Sequence, residues 1–182
     1  MKNNTIQENI KNILELLGED VNREGLKETP LRVEKAFCEV FSGYKIDDKN
    51  LYKLFTALNN DIVIVKNIHF TSFCEHHILP FSGTVSIGYI PNKYIIGLSK
   101  FARIIDCFAK RLQLQEKLTN DILNSINKYL QPLGIVVLVK AQHQCMMCRG
   151  VKQKDSETIT LAKSGVFENA DKLELFLKMI KD

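Results

Sequence analysis

Length, composition and charge indicate a single globular domain of ordinary makeup. The 182 residues are 45% hydrophobic and 25% charged, which is enough apolar content for one proper core. A net charge of +4 is too small for the dense basic surface of a nucleic-acid binder, and no apolar run has the length of a signal-peptide core or a membrane span. We therefore expect neither a nucleic-acid nor a membrane partner. The odd count of five cysteines favours reduced or metal-bound thiols, so we expect a cytoplasmic protein.

Helical signals come first along the chain. Thr5 and Glu8 match a capping box, and the apolar residues that follow keep a helical spacing as far as Gly18. Thr29-Pro30 is typical of a second helix start, with the threonine as the N-cap and the proline in the first turn. Gly43 is expected to end this second helix. The spacing after it predicts a short third helix over residues 51–58.

The pattern then changes to β-branched stretches. These predict four strands, at residues 61–72, 83–90, 135–145 and 157–163. Residues 94–98 are expected to extend the same sheet. Between the strand pairs lie two predicted helices, the first capped by Ser99 and the second stopped by Pro132 and Gly134, and Asn169 caps a last helix.

This order of elements predicts the fold class. Strands grouped in pairs, rather than alternating strictly with helices, indicate an α+β domain with an antiparallel sheet. We therefore expect a four-stranded antiparallel sheet with two helices between the strand pairs. An N-terminal helical region would cover residues 1–60 and a catalytic region residues 61–182, within one continuous domain.

Metal-ligating side chains concentrate in two short segments that are far apart in sequence. Three of the four histidines and three of the five cysteines fall within residues 73–83 and 143–150. Thiolate and imidazole are ligands that zinc prefers. Cys74 and His77 are three residues apart, so both can reach one ion from a turn, and Cys145 is the natural third ligand.

The number of ligands separates two functions that this pattern leaves open. Three protein ligands leave the fourth position of zinc to a water whose pKa falls to roughly 7, which suits catalysis. Cys148 as a fourth ligand would instead complete a structural zinc site. The Cys145-x-x-Cys148 spacing is also found in zinc knuckles and redox pairs, although no thioredoxin-like pattern surrounds it.

Two further histidines adjoin the expected ligands. If the third strand continues to Cys145, His143 lies on the same face of that strand, because side chains alternate along a strand. His76 directly precedes His77. Both histidines are candidates for proton transfer near neutral pH, and the alternative is that they only support the ligands or lie on the surface.

Five segments, in order between Asp20 and Gly150, resemble the GTP cyclohydrolase I family. They are DVNREGLKETPLRV at 20–33, CEHHxxPFxG at 74–83, GLSK through Arg103 at 97–103, RLQLQEKLT at 111–119, and HxCxxxRG at 143–150. The resemblance implies zinc-dependent hydrolytic opening of the imidazole ring of GTP. Release of C8 as formate and rearrangement to 7,8-dihydroneopterin triphosphate would follow.

The same resemblance implies an architecture and an assembly. The fold would be a tunnelling fold, in which antiparallel sheets from several subunits close into a barrel. Active sites would lie between the subunits of a toroidal homodecamer. Two alternatives are a non-catalytic structural zinc module and another tunnelling-fold enzyme acting on a pterin or deazapurine, and the Glu75-His76-His77 arrangement disfavours the second.

Residue roles follow from the resemblance position by position. The expected Zn²⁺ ligands are Cys74, His77 and Cys145. The expected catalytic residues are His76 and His143, for proton transfer, and Ser99, near the ribose.

The resemblance also implies contacts with the substrate. Gln115 and Glu116 would hold the guanine edge, where a carboxylate accepts hydrogen bonds from N1–H and the exocyclic amine, a donor pair that adenine lacks. From the residues alone, Glu116 is more typical of a solvated carboxylate at a helix start. The cations expected around the triphosphate are Lys35, Lys100, Arg103 and Arg149.

Overall fold

The computed structural model describes residues 5–181, which form two compact units divided between Ser42 and Gly43. The first unit contains helices α1 (Ile6–Leu16) and α2 (Thr29–Val40). The predicted capping box is confirmed, because the Thr5 hydroxyl accepts from the backbone N–H of Glu8 at 3.2 Å and the Glu8 carboxylate accepts from the backbone N–H of Thr5 at 2.8 Å. These bonds satisfy two N–H groups that a helix start leaves without helical partners.

The second unit contains the remaining elements. Its strands are β1 (Leu54–Thr56), β2 (Val63–Cys74), β3 (Pro80–Ile90), β4 (Tyr94–Ile96), β5 (Leu112–Gln113), β6 (Gly134–His143) and β7 (Thr158–Gly165). Its helices are α3 (Ser99–Ala109), α4 (Gln115–Leu130), α5 (Gln144–Met147) and α6 (Ala170–Ile180). Among the helices of residues 5–181, none has the length and apolar character that crossing a bilayer requires.

The main sheet has the strand order β5-β2-β3-β6-β7. The four long strands pair antiparallel, and the two residues of β5 pair parallel with the end of β2. The α+β class, the antiparallel pairing and the two helices between strand pairs are therefore as predicted. The predicted count of four strands is incomplete, because β5 is too short for any periodic pattern to reveal it.

The helix predicted for residues 51–58 is wrong. Leu54–Thr56 is instead a strand that pairs antiparallel with Tyr94–Ile96 in a separate two-stranded sheet. The prediction that residues 94–98 extend the main sheet is wrong for the same reason. Backbone bonds from Ala57 N to Lys93 O (3.0 Å) and from Gly97 N to Lys53 O (3.3 Å) close the two ends of this small sheet.

Two predicted helix caps are also wrong. Thr29 and Ser99 are the first residues of α2 and α3, and the cap positions belong to Glu28 and Leu98. Both cap residues already have helical backbone angles, whereas a side-chain cap needs an extended residue just before the helix. Asn169 has this extended conformation, and its side chain caps α6 as predicted.

The core lies on both faces of the inner strand β6. Ile135, Val137 and Val139 face the cluster that includes helices α3 and α4, whereas Val136 and Leu138 face a second cluster beneath α6. This alternation explains the uninterrupted apolar run at residues 135–139 of β6, since a strand segment covered on both sides has no polar face. Full burial of each such side chain contributes about 1.5–3 kcal/mol.

A close backbone approach joins β3 to β6 near the end that carries the functional motifs. Gly83 pairs with Ala141, and a Cβ atom at Gly83 would lie only 1.9 Å from the carbonyl oxygen of Lys140. Any side chain there would push the two strands apart. The glycine of the CEHHxxPFxG segment is therefore required by packing.

We predict that Gly83→Ala lowers the free energy of unfolding by about 1–3 kcal/mol, the usual cost of forcing an extra methyl into a packed interior. Urea denaturation at a fixed protein concentration measures the change. Gly97→Ala is the matched control, because its Cβ would meet Phe55 at 3.7 Å, an ordinary contact. Equal midpoints for the two variants would contradict the packing explanation.

Candidate active site

The turn between β2 and β3 presents the first two predicted ligands. The backbone N–H of Cys74 donates to the carbonyl of Leu79 at 2.9 Å, and the N–H of Ile78 donates back to the carbonyl of Cys74 at 2.8 Å. Ile78 has φ +54°, a left-handed conformation that is strained for a β-branched residue and costs about 1–3 kcal/mol. The paired strands on both sides hold the turn closed despite this strain.

Strand β5 anchors the same turn from the other side. Cys74 pairs with Gln113, and the backbone N–H of Glu75 donates to the Gln113 carbonyl at 3.1 Å. The buried side chain of Gln113 donates in turn to the Phe108 carbonyl at 3.1 Å and to the Asp121 carboxylate at 3.0 Å. The turn is thus tied to the end of α3 and to the first part of α4.

Cys74, His77 and Cys145 come together into one group whose ligand atoms all lie within 4.8 Å of one another. Cys74 Sγ and His77 Nδ1 are 3.9 Å apart. A tetrahedral zinc with ligand distances of about 2.0–2.3 Å separates its donor atoms by about 3.5–3.8 Å. The 3.9 Å between Cys74 Sγ and His77 Nδ1 is close to this separation. Two sulfurs and one imidazole arranged in this way therefore fit a zinc ion.

The pKa of the Cys145 thiol links its deprotonation to metal binding. Burial, and then the neighbouring sulfur of Cys74, raise the pKa of the Cys145 thiol above its ordinary value. A bound divalent cation opposes both effects, because it stabilises the thiolate directly. The site is thus built so that deprotonation and metal binding favour each other.

Cys145 reaches the group from a helical turn rather than from a strand. β6 ends at His143 and is followed directly by α5, so the predicted strand over residues 135–145 is two residues too long. The expectation that His143 and Cys145 share one face of a strand is wrong for this reason. Cys148 closes the turn through its backbone N–H, which donates to the Gln144 carbonyl at 2.9 Å.

Cys148 is exposed and does not belong to the ligand group found among residues 5–181. A structural zinc site would need it as the fourth ligand. The group as it stands has three protein ligands, which is the number typical of catalytic zinc.

His143 is fixed by two different contacts. Its ring stacks on Phe81 with centroids 4.6 Å apart and planes within 3°, and its Nε2 lies 2.8 Å from Oε1 of Gln115. Burial lowers the pKa of His143, while the carboxylate of Glu116 acts in the opposite direction. The neutral imidazole, which can accept a proton, is therefore favoured.

Two further predicted site residues lie beside the ligand group. His76 is exposed, and its ring centroid is 6.1 Å from that of His77. Arg149 Nη1 lies 3.5 Å from Nε2 of His77. The structure thus brings a second histidine and a cation to the same place.

The other predicted residues lie on helix surfaces. Ser99 and Arg103 are exposed and Lys100 is half-buried in the first turns of α3, opposite the buried face of that helix. Lys35 is exposed on α2 in the first unit. The contacts of these residues with the ribose and the triphosphate stay predictions.

Gln115 and Glu116 are neighbours in sequence but point in different directions. Glu116 is exposed in the first turn of α4, whereas only 2% of Gln115 is exposed. Sequence reasoning missed this difference, although the signal was present: Gln115, Leu118 and Ile122 follow the helical spacing of one buried face. Sequence reasoning also missed Phe81 as the stacking partner of His143.

Comparison with known proteins identifies the family of this chain. An open three-ligand metal group beside a hydrogen-bonded histidine is typical of metal-dependent hydrolases. The family model for GTP cyclohydrolase I matches residues 6–181. The chain therefore belongs to the GTP cyclohydrolase I family.

Individual relatives cover almost the whole chain. GTP cyclohydrolase 1 of Clostridium kluyveri is 47% identical over 170 residues, which are 93% of this chain and 92% of the relative. GTP cyclohydrolase 1 of Porphyromonas gingivalis is 48% identical over 177 residues, 96% of this chain and 92% of the relative. A crystal structure of the archaeosine synthase QueF-Like in the apo form aligns with 57% of this chain and 93% of its own, at 25% identity and a TM-score of 0.48.

We predict that Cys145→Ala abolishes zinc binding, because two ligands hold the ion too weakly. Cys148→Ala should retain the zinc content of the unmodified protein. Elemental analysis after reconstitution with zinc and gel filtration measures both. Loss of zinc from the Cys148 variant would show that the site is closed by four protein ligands.

Proposed function

We propose that this protein catalyses the reaction of its family. It hydrolyses GTP, opens the imidazole ring, releases formate and forms 7,8-dihydroneopterin triphosphate. The observation that carries this conclusion is the Cys74–His77–Cys145 group next to His143, in a chain that matches GTP cyclohydrolase I over residues 6–181.

Zinc is the cofactor that the donor set fits best. Cys74, His77 and Cys145 would hold it, and the two thiolates disfavour the oxygen-seeking ions Mg²⁺ and Ca²⁺. When bound, zinc supplies Lewis-acid activation of water for attack on C8 of the purine. Cys148 stays free in this proposal.

The two histidines move the protons that ring opening requires. His143 enters the reaction as a neutral imidazole, held in one plane by Phe81, and exchanges protons with the imidazole ring of the substrate. His76 is exposed beside His77 and serves as the second proton carrier. General acid–base groups of this kind contribute about 10²–10⁴-fold to a rate.

Glu116 and the basic residues orient the substrate. The exposed Glu116 carboxylate would accept hydrogen bonds from N1–H and the exocyclic amine of guanine, and it follows Gln115, whose side chain meets His143. Lys35, Lys100, Arg103 and Arg149 would surround the triphosphate, and Ser99 would lie near the ribose during the later rearrangement. Helix α3 adds the N–H groups of its first turn, which favour anions.

We also propose a tunnelling fold assembled as a cytoplasmic homodecamer with active sites between subunits. Association is supported by the edge strand β7, which exposes 56% of Ile159 and 39% of Leu161. An apolar edge strand of this kind is suited to pairing with another chain. A mass from light scattering tests the assembly.

The cytoplasmic location is supported by the five free cysteines, which suit a reducing compartment.

We predict that His76→Ala lowers kcat by about 10²-fold or more and leaves the zinc content unchanged. Formate and fluorescent pterin formed from GTP report turnover, and elemental analysis reports zinc. His69→Ala is the matched control, because His69 is also exposed but lies five residues before Cys74 on β2. If His76→Ala instead loses zinc, His76 is a ligand rather than a proton carrier.

We predict that Glu116→Gln lowers kcat/KM for GTP by about 10–100-fold, because an amide cannot accept both hydrogen bonds from the guanine edge without facing one N–H with its own. Steady-state kinetics measure the ratio. Glu174→Gln, on the exposed surface of α6, removes the same charge elsewhere and should leave kcat/KM unchanged. Equal values for the two variants would remove Glu116 from the guanine site.

A further inference from the structure

The side chain of Gln115 is buried between the start of α4 and the strands β6 and β7. Its Nε2 lies 2.9 Å from the carbonyl oxygen of Thr158, 3.2 Å from that of Val139 and 3.2 Å from Oγ1 of Thr160. The amide therefore meets three oxygens on one side and His143 on the other.

The orientation of this amide follows from what each oxygen can do. The two backbone carbonyls can only accept hydrogen bonds. The Thr119 hydroxyl donates to the backbone carbonyl of Gln115 at 2.7 Å. It also lies 2.6 Å from the Thr160 hydroxyl, and because its own hydrogen is already used, Thr160 must be the donor in that pair. Thr160 Oγ1 is then an acceptor towards Gln115 as well.

All three oxygens thus require the NH₂ group of Gln115 on their side. A flipped amide would place its oxygen against two carbonyl oxygens and turn its NH₂ group away from all three acceptors, which is costly in a buried site. Oε1 therefore faces His143. Because an amide oxygen only accepts, Nε2 of His143 must carry the hydrogen in the 2.8 Å bond.

We infer that Gln115 is a positioning residue that holds His143 as its Nε2–H tautomer, so that the lone pair of the neutral ring is on Nδ1. The inference rests on the proposed proton-transfer role of His143. It gives the side chain of Gln115 a different role from the predicted contact with guanine.

Two contacts together leave the ring one arrangement. Stacking on Phe81 sets its plane, and the amide sets its rotation within that plane and its tautomer. A free imidazole exchanges its hydrogen between the two nitrogens, and the bond that one nitrogen makes decides the state of the other. Loss of a supporting bond to a metal-ligating histidine typically costs 10–100-fold in metal affinity or activity, and we expect a loss at the lower end of that range for His143.

Nitrogen-15 NMR of the zinc-loaded protein tests the tautomer without reference to turnover. Selective ¹⁵N-histidine labelling gives signals from four histidines, and His143→Asn identifies the pair that belongs to His143. We expect a protonated Nε2 and an unprotonated Nδ1 in the neutral ring, without averaging between tautomers. A hydrogen on Nδ1 in the unmodified protein, or averaged shifts, would overturn the inference.

Gln115→Met tests the consequence, because methionine fills a similar volume without a hydrogen-bond acceptor for His143. We expect the His143 signals to average between tautomers and kcat to fall about 10-fold, while KM for GTP changes by less than about twofold. The matched control is Asn127→Leu, which removes another side-chain bond between α4 and β7, from Asn127 to Ser164 at 2.8 Å. This control should change neither the spectrum nor kcat.

Three results separate the possible failures. A raised KM with an unchanged tautomer would assign Gln115 to guanine binding and overturn the inference. A changed tautomer with unchanged kcat would overturn it too, since the tautomer would then have no role in catalysis. If His143→Asn itself retains full activity, the proposed function of His143 fails, whatever the tautomer is.

Discussion

The pairing of β3 with β6 in a single register is the constraint on which the site depends. It sets Phe81 opposite His143 and Gly83 opposite Ala141, and so joins two motifs that are separated in sequence by residues 84–142. A slip of one residue would turn every side chain of β6 to the other face of the sheet. His143 would then lose both the aromatic ring and the amide that hold it. The close approach at Gly83 disfavours such a slip, because only a residue without a side chain fits opposite the Lys140 carbonyl.

The first turn of helix α4 contains one residue that supports the site and one that is proposed to bind the substrate. Gln115 and Glu116 are consecutive, so they point about 100° apart around the helix. The first lies on the buried face and bonds to β6 and β7, whereas the second is exposed to solvent. Two neighbouring residues can in this way have different roles: Gln115 holds His143 from the buried side, and Glu116 offers a carboxylate to the substrate from the exposed side. The buried amide stabilises the site only because each of its polar atoms has a partner.

The sequence by itself determined the helix caps, the long strands and the metal-ligand group of this protein, because these features depend on local physical chemistry. The capping box at Thr5, the cap at Asn169 and the long strands depend on neighbouring residues and on side-chain period, both of which are visible in the chain. The ligand group was also predictable, because few residue types bind zinc and they are concentrated in two segments. The short strand pairing of Leu54–Thr56 was not predictable, since three residues carry no period.

Only the tertiary structure decided the features that depend on distant partners. β5 exists because it pairs with the end of β2, and Ile78 keeps a strained left-handed backbone because the strands on either side close the turn. β6 ends at His143, so that Cys145 reaches its fellow ligands from a helical turn. The orientation of Gln115 is set by acceptors on β6 and β7, more than twenty residues away in sequence. Hydrogen bonds of this range cannot be read from a local pattern, because they form only after the strands and helices have packed.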